Sequence, residues 1–403
     1  MGIHGFQSLY SDLYETISLN SIYGKFMIID INLYIYKYVI GIRKSGQDMK
    51  TLDGKITTHL HALKKTLKNF IDNNIFPIAV FDGKSPDIKE QTIEKRKEKY
   101  ENASKKCEEI LNQLIITNDN YNLSNDDDFI KNFKKSFCFK SLMINDCKDF
   151  MKFTGITYVT AINEADSQCV AIYHYYKNIC AGIYSEDSDP ILFGAEKLYK
   201  DLDVKTNTIK VIEYNSIINF LQKKTDNICK KYNILNIIID RQKFVDFSII
   251  MGNDYCNGIR ISGGNNKDKL FELFVLNNCD MNKFIEYLEY ENKESHKILY
   301  FIPDNFIDKW IECKNMYMTA NVIDPKTIDI MYKAIDEKNI REFMFKTNFR
   351  SDIINHLIKS IKSCYNVLKN SIKIDKIIQK ENITQSSEWI TTKNNKNNKK
   401  KII

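Results

Sequence analysis

The sequence predicts an α/β fold with a central, mostly parallel sheet. Short apolar runs bounded by turn residues, which are typical of buried strands, occupy residues 26–31, 76–82, 156–161 and 179–185. Between the first two runs, apolar side chains keep helical spacing at Leu60, Leu63, Leu67 and Phe70. This alternation is the pattern of strand–helix–strand units. Further helices are predicted at 142–153, 165–176, 240–251 and 267–276, and over most of the remainder to about residue 370.

Seven carboxylates lie close to the ends of apolar segments: Asp30, Asp82, Glu164, Asp166, Asp187, Asp189 and Asp254. In an open parallel sheet the ligand site lies beyond the carboxyl ends of the strands, so acids at several such ends would converge. Converging carboxylates need cations, and hard oxygen ligands suit Mg²⁺ or Mn²⁺. The set therefore predicts a two-metal site for phosphoryl chemistry. A single Asp after a strand is more often a turn residue or a helix cap, so the prediction depends on the whole set.

The segment from residue 84 to about 132 differs in character from its surroundings. Lysines and glutamates alternate in its first part, and asparagines and aspartates follow near 118–128. We expect a polar, helix-prone insertion with a flexible acidic tip. Such a charge run is usually a solvated helical face. Because this one directly follows a candidate catalytic strand, it is predicted to overhang the site.

The composition is that of a soluble globular protein, with 43% hydrophobic and 28% charged residues and a formal net charge of +7. The sequence offers no membrane span and no signal peptide. The 10 cysteines are dispersed without metal-ligand spacing, which favours reduced intracellular thiols and no zinc site. His59 and His61 are interpreted as ordinary helix residues. The lysine- and asparagine-rich tail from residue 393 is expected to be disordered.

Six short motifs occur along the chain: MGIHGF at 1–6, IID at 28–30, VFDGKSP at 80–86, NEADSQC at 163–169, SEDSD at 185–189 and MGNDYC at 251–256. In this order and spacing they resemble the flap endonuclease/XPG-type structure-specific 5′ nucleases, over residues 1–275 and more weakly to about 370. The resemblance implies a PIN-like (5′-nuclease) core, an inserted helical arch, a helix-turn-helix-type DNA-binding element and a helical C-terminal cap.

The resemblance also implies roles for individual residues. The seven carboxylates match the acids that hold two Mg²⁺ in the family, for which Mn²⁺ can substitute; Asp166 stands where many members carry Glu. Lys89 and Arg96 match catalytic basic residues at the base of the arch that reach the scissile phosphate. Their spacing of seven places them on one helical face. Tyr36 matches an aromatic that stacks on the terminal base. Arg43 matches a basic residue near the flap strand, and Gly2 matches a residue packed near the duplex junction.

The turn at 258–264, within a helix-two-turn-helix-like element at 254–276, matches the part of the family that grips duplex DNA. Gly258 and Arg260 are its predicted DNA contacts. The family's Gly-Ile-Gly-Pro core, which often binds K⁺, is replaced here by Arg-Ile-Ser-Gly-Gly, so K⁺ binding stays open. The family's sliding-clamp peptide is not matched at 385–390, and clamp binding by that route is not expected.

These inferences predict a single 5′-nuclease domain over 1–375 and a basic tail over 376–403. Within the domain they place an N-terminal nuclease region at 1–110, the arch insertion at 84–135, an internal nuclease region at 145–275 and a helical C-terminal region at 277–375. The implied function is Mg²⁺-dependent cleavage of 5′ flaps or other branched DNA near the single-strand/duplex junction, in replication and repair. We expect a monomer that acts in the nucleus or at a viral DNA replication site.

Three alternatives remain at this stage. The same family includes 5′→3′ double-strand exonucleases. A metal-dependent phosphatase would also cluster aspartates at strand ends, but it would need a nucleophilic aspartate and would have no use for a basic arch. A catalytically inactive DNA-binding scaffold is the third alternative, although all seven acids are present.

Overall fold

The computed structural model describes residues 2–117, 123, 126–264 and 266–371. Within them, the main sheet contains β1 (Glu15–Ser18), β2 (Phe26–Asp30), β3 (Phe76–Phe81), β4 (Tyr158–Thr160), β5 (Cys180–Tyr184), β6 (Lys197–Asp203) and β7 (Thr208–Glu213). The spatial order is β1-β7-β6-β5-β2-β3-β4. Neighbouring strands from β6 to β4 are parallel, whereas β7 runs antiparallel to both β6 and β1. The predicted fold class is confirmed, and the four predicted strands correspond to β2, β3, β4 and β5.

The helices of the described chain are α1 (Phe6–Tyr10), α2 (Ile31–Ile42), α3 (Thr58–Ile71), α4 (Glu90–Thr117), α5 (Asp127–Lys135), α6 (Ser141–Thr154), α7 (Ala165–Tyr175), α8 (Asp189–Phe193), α9 (Tyr214–Tyr232), α10 (Arg241–Met251), α11 (Lys267–Leu276), α12 (Met281–Glu294), α13 (Phe306–Met318), α14 (Glu337–Lys346) and α15 (Ser351–Ser371). A second, two-stranded sheet pairs β8 (Arg260–Ile261) with β9 (Tyr300–Phe301). Short 3₁₀ turns connect several of these elements. No helix in the described ranges is both long and apolar enough to traverse a bilayer.

The centre of the core is formed by β2 and β3, in which every residue is buried. Strands covered on both faces by helices have continuous apolar sequences, which explains why these two were recognisable. The helix predicted between them is α3, and its four apolar positions are almost completely buried. The carboxyl ends of β2, β3 and β5 point to one edge of the sheet.

The predicted insertion is helical where it is described. Helix α4 has 28 residues, which corresponds to a length of about 42 Å. Helix α5 packs against α4 and against the 3₁₀ turn Arg43–Ser45 that follows α2. Residues 118–122, part of the expected acidic tip, and the tail beyond 371 lie outside the described residues.

Candidate active site

Two of the predicted acids end neighbouring parallel strands. Asp30 is the last residue of β2 and caps α2, where its Oδ1 accepts a hydrogen bond from the Leu33 amide at 3.5 Å. Asp82 directly follows β3. Its Oδ1 accepts from the Ala165 amide at 2.9 Å and its Oδ2 from Asn32 Nδ2 at 2.8 Å. Asp82 therefore ties the start of α7 and the first turn of α2 to the end of its own strand.

Three further acids form a compact cluster. Asp166 lies in the first turn of α7, Asp187 follows β5, and Asp189 begins α8. One carboxylate oxygen from each lies within 4.8 Å of the other two, and all three side chains are buried. Oδ1 of Asp166 and Oδ1 of Asp189 are buried without a hydrogen-bond partner among the described residues. Unpartnered buried carboxylate oxygens at this separation fit a divalent cation, which takes such oxygens as ligands.

The pKa values of these acids support the same interpretation. Burial raises the pKa of Asp30, Asp166, Asp187 and Asp189 above the usual value, and for Asp30, Asp166 and Asp189 the charges of neighbouring acids raise the pKa further. Burial also raises the pKa of Glu164, although the adjacent Lys89 ammonium opposes that rise. A buried group of like charges is stabilised by bound cations. The buried acids are therefore suited to binding a divalent cation.

Asp254 reaches this site from a different kind of element than the sequence suggested. It was grouped with acids that close buried strands, but the apolar run 247–252 belongs to α10 and not to a strand. The chain leaves the helix at Gly252, which has φ of 91°. Helix α10 was itself predicted, so the correction concerns only how Asp254 is positioned: by a turn after a helix.

The predicted basic pair lies directly beside the acids. Lys89 precedes α4, and its Nζ is 2.6 Å from Glu164 Oε1 and 3.7 Å from Asp254 Oδ2. Arg96 lies on α4 and donates from Nη2 to Asp254 Oδ2 at 2.7 Å. Burial alone would lower the pKa of Lys89, but the Glu164 carboxylate raises it, so the side chain is a cation at neutral pH. The base of the insertion is thus attached by ion pairs to Glu164 and Asp254.

Two tyrosines that the sequence analysis did not select also bind these acids. The Tyr255 hydroxyl donates to Glu164 Oε2, and Lys89 Nζ lies 4.8 Å from the Tyr255 ring centroid. The Tyr317 hydroxyl donates to Asp189 Oδ2 at 3.3 Å. Tyr255 could have been found from its place next to Asp254 in the last motif. Tyr317 is 128 residues from its partner, and no local pattern marks it.

Gly2 lies against the acid cluster. It has φ of 76°, and a Cβ added there would be 2.0 Å from Asp187 Oδ1. The next amide, that of Ile3, donates to Ser188 Oγ at 2.9 Å. Gly258 is similarly confined, because a Cβ there would be 2.4 Å from the Met251 carbonyl oxygen.

Two other predicted DNA contacts, Arg260 and Tyr36, have exposed side chains. Arg260 is exposed on β8, with its guanidinium 6.0 Å from the Phe301 ring centroid. Tyr36 is 41% exposed on α2, an orientation that leaves its ring accessible.

Arg43, the predicted basic residue near the flap strand, has a buried side chain. Its Nε lies 3.1 Å from Asp48 Oδ1, and its guanidinium carbon is 3.7 Å from the ring centroid of Phe133 in α5. The insertion covers this arginine, so the guanidinium is not presented to a DNA strand in this structure. In this structure the side chain makes a structural contact between the 3₁₀ turn after α2 and helix α5, and the contact with a flap strand stays a prediction.

Comparison with known proteins identifies the class. The XPG N-terminal domain matches residues 1–103 and the XPG I-region matches residues 155–254. In solved structures, the chain resembles the catalytic core of Rad2 in complex with DNA substrate (TM-score 0.61, 20% identity, covering 89% of this chain and 100% of that one). It also resembles flap endonuclease-1 from Methanococcus jannaschii (TM-score 0.58, 21% identity, 90% and 99% covered). These likenesses define an XPG-type nuclease fold.

Sequence relatives are more specific. Flap endonuclease 1 of Glycine max is 30% identical over 374 residues, which cover 91% of this chain and 88% of the relative. Flap endonuclease 1 of Mus musculus is 25% identical over 349 residues, covering 85% and 82%. The chain belongs to the flap endonuclease/XPG family.

Proposed function

We propose that this protein is a Mg²⁺-dependent, structure-specific DNA nuclease that cleaves 5′ flaps or related branched DNA near the single-strand/duplex junction. The observation that carries the proposal is the buried cluster of Asp166, Asp187 and Asp189, which has unpartnered oxygens and lies beside the basic base of α4. A nuclease needs acids for the metal and cations for the phosphate in one place, and this arrangement supplies both.

The seven acids are proposed to hold two Mg²⁺ ions, with Mn²⁺ as a substitute. Bound there, the ions would activate an attacking water and stabilise the leaving 3′ oxygen. The chain's own residues do the rest. Lys89 and Arg96 would offer an ammonium and a planar guanidinium to the scissile phosphate, and both are held in place by ion pairs, Lys89 with Glu164 and Arg96 with Asp254. A phosphodiester bound there would lie against the acids and below α4.

DNA would be recognised by shape and by phosphate contacts, not by base sequence. The exposed ring of Tyr36 suits stacking on a terminal base, which tolerates any sequence. The backbone at Gly2, confined against Asp187, suits a close approach of the duplex junction. Arg260 and the turn around Gly258 suit phosphates of the duplex. The proposal does not require K⁺ at this turn, because the Gly-Ile-Gly-Pro core is replaced.

We propose further that the protein acts as a monomer in replication and repair, in the nucleus or at a viral DNA replication site. The names of the relatives support a role in DNA metabolism. In the same family, 5′→3′ exonuclease activity is the alternative that the experiment must separate.

The test is a panel of labelled substrates: a 5′ flap, a nick, a gap, a blunt duplex and a small phosphomonoester. We expect Mg²⁺-dependent cutting within a few nucleotides of the flap junction, and no cutting in EDTA. Stepwise release of mononucleotides from the blunt duplex would favour the exonuclease. Hydrolysis of the monoester without DNA cleavage would contradict the proposal. Protein carrying Asp187→Asn, purified in parallel, controls for contaminating nuclease.

A further inference from the structure

A buried tyrosine on the C-terminal helices holds one acid of the cluster. Tyr317 lies near the end of α13, outside both regions that match the XPG domains, and is 1% exposed. Its hydroxyl donates to Asp189 Oδ2 at 3.3 Å. The other oxygen of that carboxylate, Oδ1, is buried and has no hydrogen-bond partner in the described part of the chain. Asp189 thus has one oxygen held by the protein and one available to a ligand.

The position of Tyr317 is determined by several contacts. Its ring lies 4.9 Å from that of Phe193 at the end of α8, and 5.7 Å from that of Tyr255. Arg241 donates from Nη2 to the carbonyl oxygens of both Leu192 and Tyr317, each at 3.0 Å. This arginine therefore joins the helix that carries Asp189 to the residue that binds Asp189.

Helix α13 is also attached to α10 through a buried acid. Asp246 accepts hydrogen bonds from Trp310 Nε1 at 2.6 Å and from Lys314 Nζ at 2.8 Å. Both donors lie on α13, less than two turns before Tyr317. A hydroxyl supported on this many sides has little freedom to move away from its carboxylate.

We propose that Tyr317 is a positioning residue for the metal site: it orients the Asp189 carboxylate so that Oδ1 points into the acid cluster. The inference rests on the proposed function, since it requires Asp189 to be a metal ligand. Groups that hydrogen-bond to metal ligands fix their orientation, and their loss typically weakens metal binding by about 10- to 100-fold. The Tyr317 ring also contacts Tyr255, whose hydroxyl donates a hydrogen bond to Glu164, so Tyr317 supports the position of a second acid of the site.

The experiment replaces the hydroxyl alone, by Tyr317→Phe. Tyr332→Phe is the matched control, because Tyr332 is also buried but donates to the Pro77 carbonyl oxygen at 2.8 Å, at the start of β3 and away from the acids. Mn²⁺ binding to the DNA-free protein is measured by calorimetry and electron paramagnetic resonance. Thermal melts in EDTA record stability, and single-turnover cleavage is titrated with Mg²⁺.

We expect Tyr317→Phe to weaken Mn²⁺ binding by about 10- to 100-fold, and to raise the Mg²⁺ concentration for half-maximal cleavage by a similar factor. The rate at saturating Mg²⁺ should recover most of the wild-type value. Tyr332→Phe should bind Mn²⁺ as the wild type does, even if both variants lose the same stability.

The outcomes separate the inference from the function on which it rests. Unchanged Mn²⁺ binding in Tyr317→Phe, or equal weakening in both variants, would overturn the positioning role and leave the proposed function standing. Asp189→Asn serves as the reference for the ligand itself. If that variant binds Mn²⁺ as tightly as the wild type, Asp189 is not a ligand, and the positioning role and the proposed metal assignment fail together.

Discussion

Replacing Asp187 with asparagine keeps the shape of the side chain and removes its charge, so it tests directly whether the acids form a metal site. Its carboxylate lies within 4.8 Å of those of Asp166 and Asp189. Two unit charges at this distance repel each other by about 3 kcal/mol at an effective dielectric constant of about 20. We therefore expect the change to stabilise the metal-free protein by about 1–3 kcal/mol.

Stability and activity should therefore move in opposite directions. With an unfolding entropy of about 2 cal/mol/K per residue, that gain corresponds to a rise in Tm of about 1–4 °C in EDTA. Cleavage of a labelled 5′ flap in Mg²⁺ should fall by on the order of 10²–10³ or more, because the site loses a charge that its cations require. DNA binding in Ca²⁺ should persist, since a less negative site repels phosphate less.

The control is Asp240→Asn, outside the acid cluster. Asp240 caps α10 and forms hydrogen bonds with Lys243. Burial alone would raise the pKa of Asp240, but these hydrogen bonds lower the pKa below its usual value, so the negative charge of Asp240 is favourable in the folded protein. This variant should cleave normally and show no rise in Tm. If Asp187→Asn instead cuts at the wild-type rate and melts at the wild-type temperature in EDTA, then Asp187 is an ordinary turn residue and the metal-site interpretation is refuted.

Three further outcomes are expected. Lys89→Ala and Arg96→Ala should each slow single-turnover cleavage by on the order of 10²–10³ while weakening DNA binding much less. Lys97, which follows Arg96 on α4 and has a side chain that is 73% exposed, provides the control, and Lys97→Ala should behave as the wild type. Cleavage at the wild-type rate by both Lys89→Ala and Arg96→Ala would refute their role. DNA affinity should fall steeply with salt and differ little between two flaps of unrelated sequence, because phosphate contacts dominate; a strong preference for one sequence would contradict recognition by shape. In EDTA, the contribution of the buried acids to stability should increase as the pH falls from 7 towards 4. The reason is that the raised pKa values of Asp30 and Asp166 make the folded protein bind more protons than the unfolded chain in this range. That contribution is complete below the unfolded-state pKa of 3.8 and is lost as the pH rises through the higher folded-state pKa values. The test is to measure Tm against pH in EDTA for the wild type and for Asp187→Asn; the same dependence of Tm on pH in both proteins would contradict this expectation.

The parts of the fold that the sequence predicted are those with local signals. The apolar runs of β2 and β3 are uninterrupted because both faces of these strands are covered. The acids were recognisable because each lies within a short motif, whereas Lys89 and Arg96 were assigned from the family resemblance. Their spacing predicted one helical face, but only Arg96 lies on α4, because Lys89 ends the 3₁₀ turn before that helix.

The parts that the sequence did not predict depend on distant partners. Strands β6 and β7 mix polar and apolar residues, and each is only partly buried. β7 pairs with β6 on one side and with β1 on the other; β1 lies about half the chain away, and pairing with it completes the antiparallel edge of the sheet. The burial of Arg43 requires Phe133 from the insertion, and the role of Tyr317 requires a helix far along the chain. Single-sequence patterns contain no signal for such contacts.

The groups that meet at the acids are far apart in the amino-acid sequence, and this separation affects how the protein folds. The His4 amide donates to the Gly252 carbonyl oxygen at 2.8 Å, and the hydroxyl of Tyr317 meets an acid that lies at the start of α8. On a ribosome that adds about 5–20 residues per second, roughly 15–60 s separate the synthesis of Asp30 from that of Tyr317. Until β5 is synthesised, which takes about the first half of that interval, β2 lacks this neighbouring strand and has exposed apolar faces and an unpaired edge. We therefore expect the site to form late and all at once, and the nascent chain to depend on chaperones that shield its first strands.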